Sequence, residues 1–328
     1  MEASDKHKSE KPALEPVKKK PLIKWQRPNV HVMYALAPAA VASVYFFGWR
    51  SLLMLTVVCV AGFLTEYFYL KATYREPVSS AVFVSCFLFA LSLPPTIPIW
   101  IAVVGIVFGI MFGKMVFGGF GRNIFNPALV GRAFIYISFG GPMTAAWVDN
   151  IGGGAGGFAR FSADAVTQAT PLTQLSGGLP VSKISMLIGN EAGCIGETSA
   201  ILLLLGGIYI VYKKFANWRI VLSIFVSMLA LQTALWAAGV GNALDPFSAV
   251  IGGGFMMGAW FMATDPVSAS QTNGGRWIYG LLIGALTVLI RTFSIWAEGM
   301  MFAILLGNMF APIVDYYIKE ARKKGKAV

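Results

Sequence analysis

Ten runs of mostly apolar residues divide this chain, and they restrict its fold more than any other feature. They cover approximately 29–48, 51–70, 77–93, 97–117, 124–139, 198–212, 219–239, 246–263, 276–295 and 299–318. A helix crossing a bilayer needs about 20 such residues, because hydrocarbon offers no water to backbone polar groups. Hydrophobic residues make up 56% of the 328 and charged residues 12%, so the chain lacks the polar surface of a soluble domain this long. The expected fold class is an all-α polytopic membrane protein with about ten transmembrane helices.

Charge placement sets the expected orientation. Of the 26 lysines and arginines, 21 fall in the two tails and in every second connection. Four fall on the opposite side (Arg50, Arg160, Lys183 and Arg291), and Arg132 lies within a span. Positive charge collects on the cytoplasmic side, so both termini are expected inside, in a bacterial or archaeal-type cytoplasmic membrane. The expected organisation is a basic tail 1–28, five spans over 29–139, an external connection 140–197, five spans over 198–318 and a basic tail 319–328. The first tail, with "HKSEKPALEPVKKK", shows no cleavable signal sequence. Ahead of a span, its charge reads as an orientation signal and an anchor on the lipid bilayer, in preference to a nucleic-acid site. Cys59, Cys86 and Cys194 show no paired spacing and read as small buried hydrophobes. "GGGAGG" at 152–157 reads as a turn tract, since it matches no nucleotide-binding fingerprint.

The halves resemble each other. "GWR" at 48–50 recurs as "NWR" at 217–219, and "EPVSSAV" at 76–82 recurs as "DPFSAV" at 245–250, both at an offset of 169. "NIFNP" at 123–127 recurs as "NMFAP" at 308–312, at an offset of 185. Five spans is an odd number, so the second half is expected to be inverted relative to the first, with broken helices near the midplane. Asn-x-Phe-x-Pro suits such a break, since proline removes a helical hydrogen bond and asparagine can cap a half-helix or coordinate an ion. Plain helix termini at both motifs fit the residues equally well.

An acid within or beside a span is costly and is therefore a functional candidate. Five qualify: Glu66, Glu76, Asp245, Asp265 and Asp315. Glu76 and Asp245 are repeat-equivalent, each before a proline at an expected helix start, where a carboxylate also complements the helix dipole. Asp265 stands in "ATDPVS", where Ser268 can add an oxygen ligand for a hard cation, and Asp315 follows an expected break at Pro312. The stretch "DAVTQATPLTQL" at 164–175 is unusually polar, and on the residues alone Thr167 and Thr170 read as capping or turn hydroxyls.

Several longer blocks carry a resemblance: "GKMVFGGFGRNIFNPALVGRAF" at 113–134, "DAVTQATPL" at 164–172, "GNEAGCIGETSA" at 189–200, "FMATDPVSAS" at 261–270 and "EGMMFAILLGNMFAPIVDYY" at 298–317. Through them the chain resembles the family that holds the B subunit of the sodium-translocating NADH:quinone oxidoreductase and the D subunit of the Rnf complex. That resemblance implies FMN joined through its phosphate to a threonine in a [Ser/Thr]-Gly-Ala-Thr motif, attached by a flavin transferase on the outer side. Carried onto "TQAT", it makes Thr170 the attachment residue and Thr167 the first motif member, with Asp164 upstream. Gln168 stands where the motif has glycine. It further implies noncovalent riboflavin within the membrane part, with the tract around Asn123, Asn126 and Pro127 as candidate location. Membrane acids would serve uptake of Na+ or H+, and other subunits of the complex would surround the chain.

With no Rossmann fingerprint or metal cluster in the sequence, oxidation of NADH or ferredoxin falls to partner subunits, and no catalytic residue or resident metal is assigned. The competing class is a redox-free channel or carrier of the urea or ammonium type, which also uses two inverted five-helix halves. An acceptor threonine separates the two, because a channel needs none.

Overall fold

The computed structural model describes residues 21–324 except 75, 145–146, 149–150, 152–154, 164–168, 198, 295 and 297. In chain order its helices are α1 (Arg27–Phe47), α2 (Trp49–Thr73), α3 (Ala81–Leu91), α4 (Ile99–Ile110) and α5 (Pro127–Ser138). Then come three short helices, α6 (Gly140–Thr144), α7 (Pro171–Ser176) and α8 (Lys183–Ile188). The second half holds α9 (Ala200–Tyr212), α10 (Trp218–Ala237), α11 (Pro246–Ile251), α12 (Phe255–Met257), α13 (Asn273–Phe293) and α14 (Gly299–Lys324). Two π-helical turns extend α4 over Met111–Met115 and α12 over Gly258–Met262.

The chain is an all-α multi-pass membrane protein. Among the described residues, α1, α2, α10, α13 and α14 are long and apolar enough to cross a bilayer, and α3, α5, α9 and α4 with its π-turn are shorter apolar helices. Large apolar side chains such as Val60, Phe68, Leu205 and Val226 point outward, as a lipid-facing surface requires. Between helices the chain relies on small residues that allow close backbone approach. At Gly131 of α5 a Cβ would collide with the Gly105 carbonyl of α4, so only glycine lets these helices pack at that distance.

Following the helices alternately up and down gives the bundle two ends. The near end receives the start of α1 and the end of α14, and the far end carries the connection between α5 and α9. At the near end a parallel pair of two-residue strands, Ile23–Lys24 with Val78–Ser79, ties the approach to α1 to the α2–α3 turn. At the far end the connection is stitched to the bundle by backbone bonds. Arg50 and Trp49 donate to Phe161 and Arg160 (2.7 and 3.2 Å), and Gly196 and Ile195 donate to Leu91 and Leu93 (2.7 and 2.9 Å). The part of the glycine tract that is described, Gly156 and Gly157, packs beneath the α1–α2 corner.

Two expectations about interruptions change. The break in the second half lies at Gly252–Gly254, between α11 and α12, rather than at Pro312. α14 runs unbroken through Pro312, whose fixed φ suits a helix and whose missing N–H costs one bond in a long helix held against α13. At the first motif, Asn126 is an ordinary N-cap whose Oδ1 accepts from Ala128 N at 3.0 Å, with Pro127 at the first helical position.

Candidate functional site

The structure gathers its buried polar groups at two places. At the far end, Thr170 caps α7, its Oγ1 accepting from Thr173 N at 3.4 Å and lying 3.0 Å from Thr173 Oγ1. Thr170 lines a pocket together with Trp147, Leu172, Cys194, Glu197 and Glu298. Thr167 and Asp164 lie outside the described residues.

The Gly252–Gly254 break also lines this pocket. Gly253 and Gly254 hold φ values of +62 and +67; a Cβ on the first would collide with Leu172, and one on the second would meet the Glu197 carboxylate at 2.8 Å. Arg291 of α13 takes up the end of α11, donating to the carbonyls of Ala249 (2.6 Å), Gly252 (3.2 Å) and Gly253 (2.6 Å). A cation at a helix C-terminus also meets the negative end of the dipole. Behind the pocket Arg132 pairs with Glu298 and reaches Cys194 Sγ at 3.6 Å. Burial raises the Glu197 carboxyl to about 7 and pushes the Cys194 thiol well above its ordinary value. A flavin needs a flat apolar slot, an anchor for its phosphate chain and polar atoms at the ring edge. Trp147, the Thr170 hydroxyl and an unpartnered Glu197 oxygen fit that requirement.

Toward the near end a second pocket brings together Lys114, Asn123, Asn126 and Asp265, closed by Phe215 and Phe261. Lys114 Nζ and Glu66 Oε2 form a 2.6 Å ion pair, both side chains almost wholly buried, and Glu66 Oε1 also accepts from Ser79 N at 3.2 Å. Asp265 accepts from the Ser268 hydroxyl at 2.7 Å and from the Ser268 and Val267 amides, while burial pushes its carboxyl upward. Asn123 Nδ2 donates to the Phe125 carbonyl at 3.0 Å. Asn126 Nδ2 donates to the Met262 carbonyl at 3.2 Å, and its backbone N–H donates to Asn308 Oδ1 at 3.3 Å. Asn308 Nδ2 in turn donates to Tyr279 Oη (2.9 Å) and the Ser268 carbonyl (3.1 Å), so the two repeat motifs meet.

The sequence model of the NQR2, RnfD, RnfE family matches residues 18–324. The chain belongs to the NQR2, RnfD, RnfE family. It is 39% identical over 294 residues to the B subunit of the Na(+)-translocating NADH-quinone reductase of Klebsiella pneumoniae strain 342, covering 84% of this chain and 70% of that one. Proteins of the same name from Haemophilus influenzae strain PittEE and Yersinia pestis are 41% and 38% identical over 254 and 305 residues. Those matches cover 75% and 84% of this chain, and 61% and 70% of theirs.

Within this member of the NQR2, RnfD, RnfE family the remaining acids stand apart from both pockets. Asp315 accepts from the Ser270 and Thr272 hydroxyls and the Gln271 and Thr272 amides at 2.6–3.0 Å, fastening α14 to the start of α13. Asp245 caps α11, accepting from Ser248 N at 3.2 Å and pairing with Lys183 at 2.9 Å. Its repeat partner Glu76 is exposed and precedes the strand Val78–Ser79, so the expected symmetry of the two acids ends at local structure. Sequence reasoning singled out neither Glu197 and Glu298, nor the partners Arg132, Arg291 and Lys114. The usable signal was an arginine inside an apolar span, since such a charge requires a buried partner.

Proposed function

We propose that this chain is the flavin-carrying membrane subunit of an ion-translocating electron transport complex. The observation that carries the reading is Thr170 lining one pocket with Trp147, Glu197 and the Gly252–Gly254 turn, with buried charges behind it. It is supported by relatives named as the B subunit of a Na(+)-translocating NADH-quinone reductase. On this reading FMN is esterified through its phosphate to Thr170 by a flavin transferase, and the bound ring supplies one- and two-electron redox chemistry. Trp147 borders the ring, Arg132 and Arg291 hold the surrounding field positive, and other subunits deliver and remove electrons. Riboflavin without a covalent link is assigned to the near-end pocket, where Asn123 and Asn126 can turn amides to a ring edge.

The arrangement of ten spans as two inverted five-span halves belongs to the same proposal. It is supported by the alternating direction of the helices and by the contact of Asn126 with Asn308. Both termini are placed in the cytoplasm and the α5–α9 connection outside, on the lysine and arginine asymmetry. Cation coupling, to Na+ or H+, is assigned to Asp265, which combines a part-buried carboxylate with a hydroxyl and lies beside the buried Glu66–Lys114 pair. Glu76, Asp245 and Asp315 remain further candidates along the cation's route.

The test is attachment. Coexpressed with a flavin transferase, the denatured chain is expected to fluoresce as a flavin band on a gel, and Thr170→Val to abolish it. Undiminished fluorescence in that variant overturns the assignment.

A further inference from the structure

Glu197 lines the far-end pocket, and the proposed function leaves its carboxyl idle. Its side chain is part-buried overall, but Oε2 is shut off from solvent and has no hydrogen-bond partner among the described residues. A buried oxygen left without a donor is unfavourable, so the position is suited to a further partner. The charged and titratable groups facing it are Arg132 from α5, Arg291 from α13, Glu298 ahead of α14 and, from its own connection, Cys194, which shares a hydrogen bond with the carboxyl. Glu191 lines the same pocket. Arg132 is taken by Glu298, and Arg291 by the carbonyls at the end of α11. Each guanidinium keeps one buried Nε–H without a partner among the described residues, and two cations this close disfavour a metal cation as the missing partner of Oε2. What suits the position is a neutral acceptor, a carbonyl oxygen or ring nitrogen, if Glu197 keeps its proton. Burial beside Glu298 supports that state by raising its carboxyl to about 7.

Resting on the reading that FMN is attached at Thr170, we propose that Glu197 contacts that cofactor as a neutral acid, donating a hydrogen bond from Oε2 to a carbonyl or nitrogen at the isoalloxazine edge. Gly254 is glycine for the same reason, since any side chain there would displace the carboxyl from the pocket wall. Deprotonation removes the donor and places a negative charge at the ring edge, so the electronic state of the flavin follows the titration of this residue.

The experiment takes the difference spectrum between the assembled complex and its Thr170→Val counterpart, on both sides of pH 7. In the wild type the flavin absorption band is expected to shift with a midpoint near the value of about 7. Glu197→Gln keeps an N–H donor but cannot titrate, so its band is expected to stay at the low-pH position at every pH. Glu197→Leu has no donor, and its band is expected to stay at the high-pH position. A wild-type band indifferent to pH, or a shift that survives in Glu197→Gln, overturns the proposal. Infrared spectra of the flavin-free Thr170→Val chain give a second reading. A carboxylic C=O band should fade as pH rises through neutrality and be absent when Glu197→Gln is added; if no such band exists, the neutral acid is refuted. A wild-type gel without covalent flavin overturns the attachment at Thr170 instead, which the infrared result does not depend on.

Discussion

Asp315 at the near end and Glu197 at the far end are both acids held away from bulk water, and their surroundings differ. Asp315 has four donors within 2.6–3.0 Å, from hydroxyls and amides of the turn before α13. Glu66 has Lys114 at 2.6 Å and an amide besides. Around the far-end pocket the set is incomplete, since Glu197 Oε2, Arg132 Nε and Arg291 Nε find no partners among the described residues. A completed set of bonds fastens helices together, while an incomplete one reserves atoms for something else. The comparison therefore separates acids that hold the bundle from an acid left with an open bonding position.

The largest expected effect tests the completed side. Lys114→Met leaves the Glu66 charge without its cation at 1% exposure, which should cost about 3–5 kcal/mol of stability. Adding Glu66→Gln should restore most of it; chemical denaturation of the purified chain measures both, and a single variant as stable as wild type would break the comparison. Asp315→Ala comes next. It strands four donors, two of them backbone amides, for an expected loss of about 2–3 kcal/mol, with flavin content per folded chain unchanged. Asp265→Asn should act on turnover rather than folding, slowing it roughly tenfold, or about 1.4 kcal/mol. Its dependence on sodium and on pH should flatten in steady-state assays of the assembled complex, and a cation dependence equal to wild type would remove Asp265 from the route.

The smallest effect concerns pH and stability. Because the Glu197 carboxyl is raised from 4.5 to about 7, the folded chain binds more protons than the unfolded chain between those values. Its contribution is then fully present below about 4.5 and lost as pH rises through 7. The melting midpoint of Glu197→Gln should lack that decline, a difference on the order of 1 kcal/mol once solvent screening of this part-exposed carboxyl is allowed for. Parallel pH profiles for variant and wild type would place Glu197 among the satisfied acids.

The spans were legible because hydrocarbon imposes one requirement on every crossing helix. The run expected at 276–295 is the helix Asn273–Phe293, and the run at 198–212 is Ala200–Tyr212. The hydroxyl that the polar stretch offered, Thr170, does stand at a pocket. Pairings were not legible, because they join residues far apart in the chain. Lys114 counted among the positive charges that orient the protein, yet it is buried against a glutamate 48 positions earlier. Glu197 sat in a polar connection where an acid is ordinary, and only the return of α11 and α12 beneath it makes it unusual. The Pro312 break failed because a proline weakens a helix locally while its neighbours decide whether it bends.

The π-turn at Met111–Met115 carries a further consequence. Val116 N reaches back five residues to the Met111 carbonyl at 2.9 Å, so this turn holds one amino acid more than an α-turn does. One residue in an α-helix is worth about 100° of rotation, and Lys114 sits inside that surplus. The buried pair with Glu66 is thus a matter of counting as much as of chemistry. Deleting one neighbour from Met111–Met115 would leave both charges in the sequence and swing them out of register, a change that inspection of the contacting residues alone would never reveal.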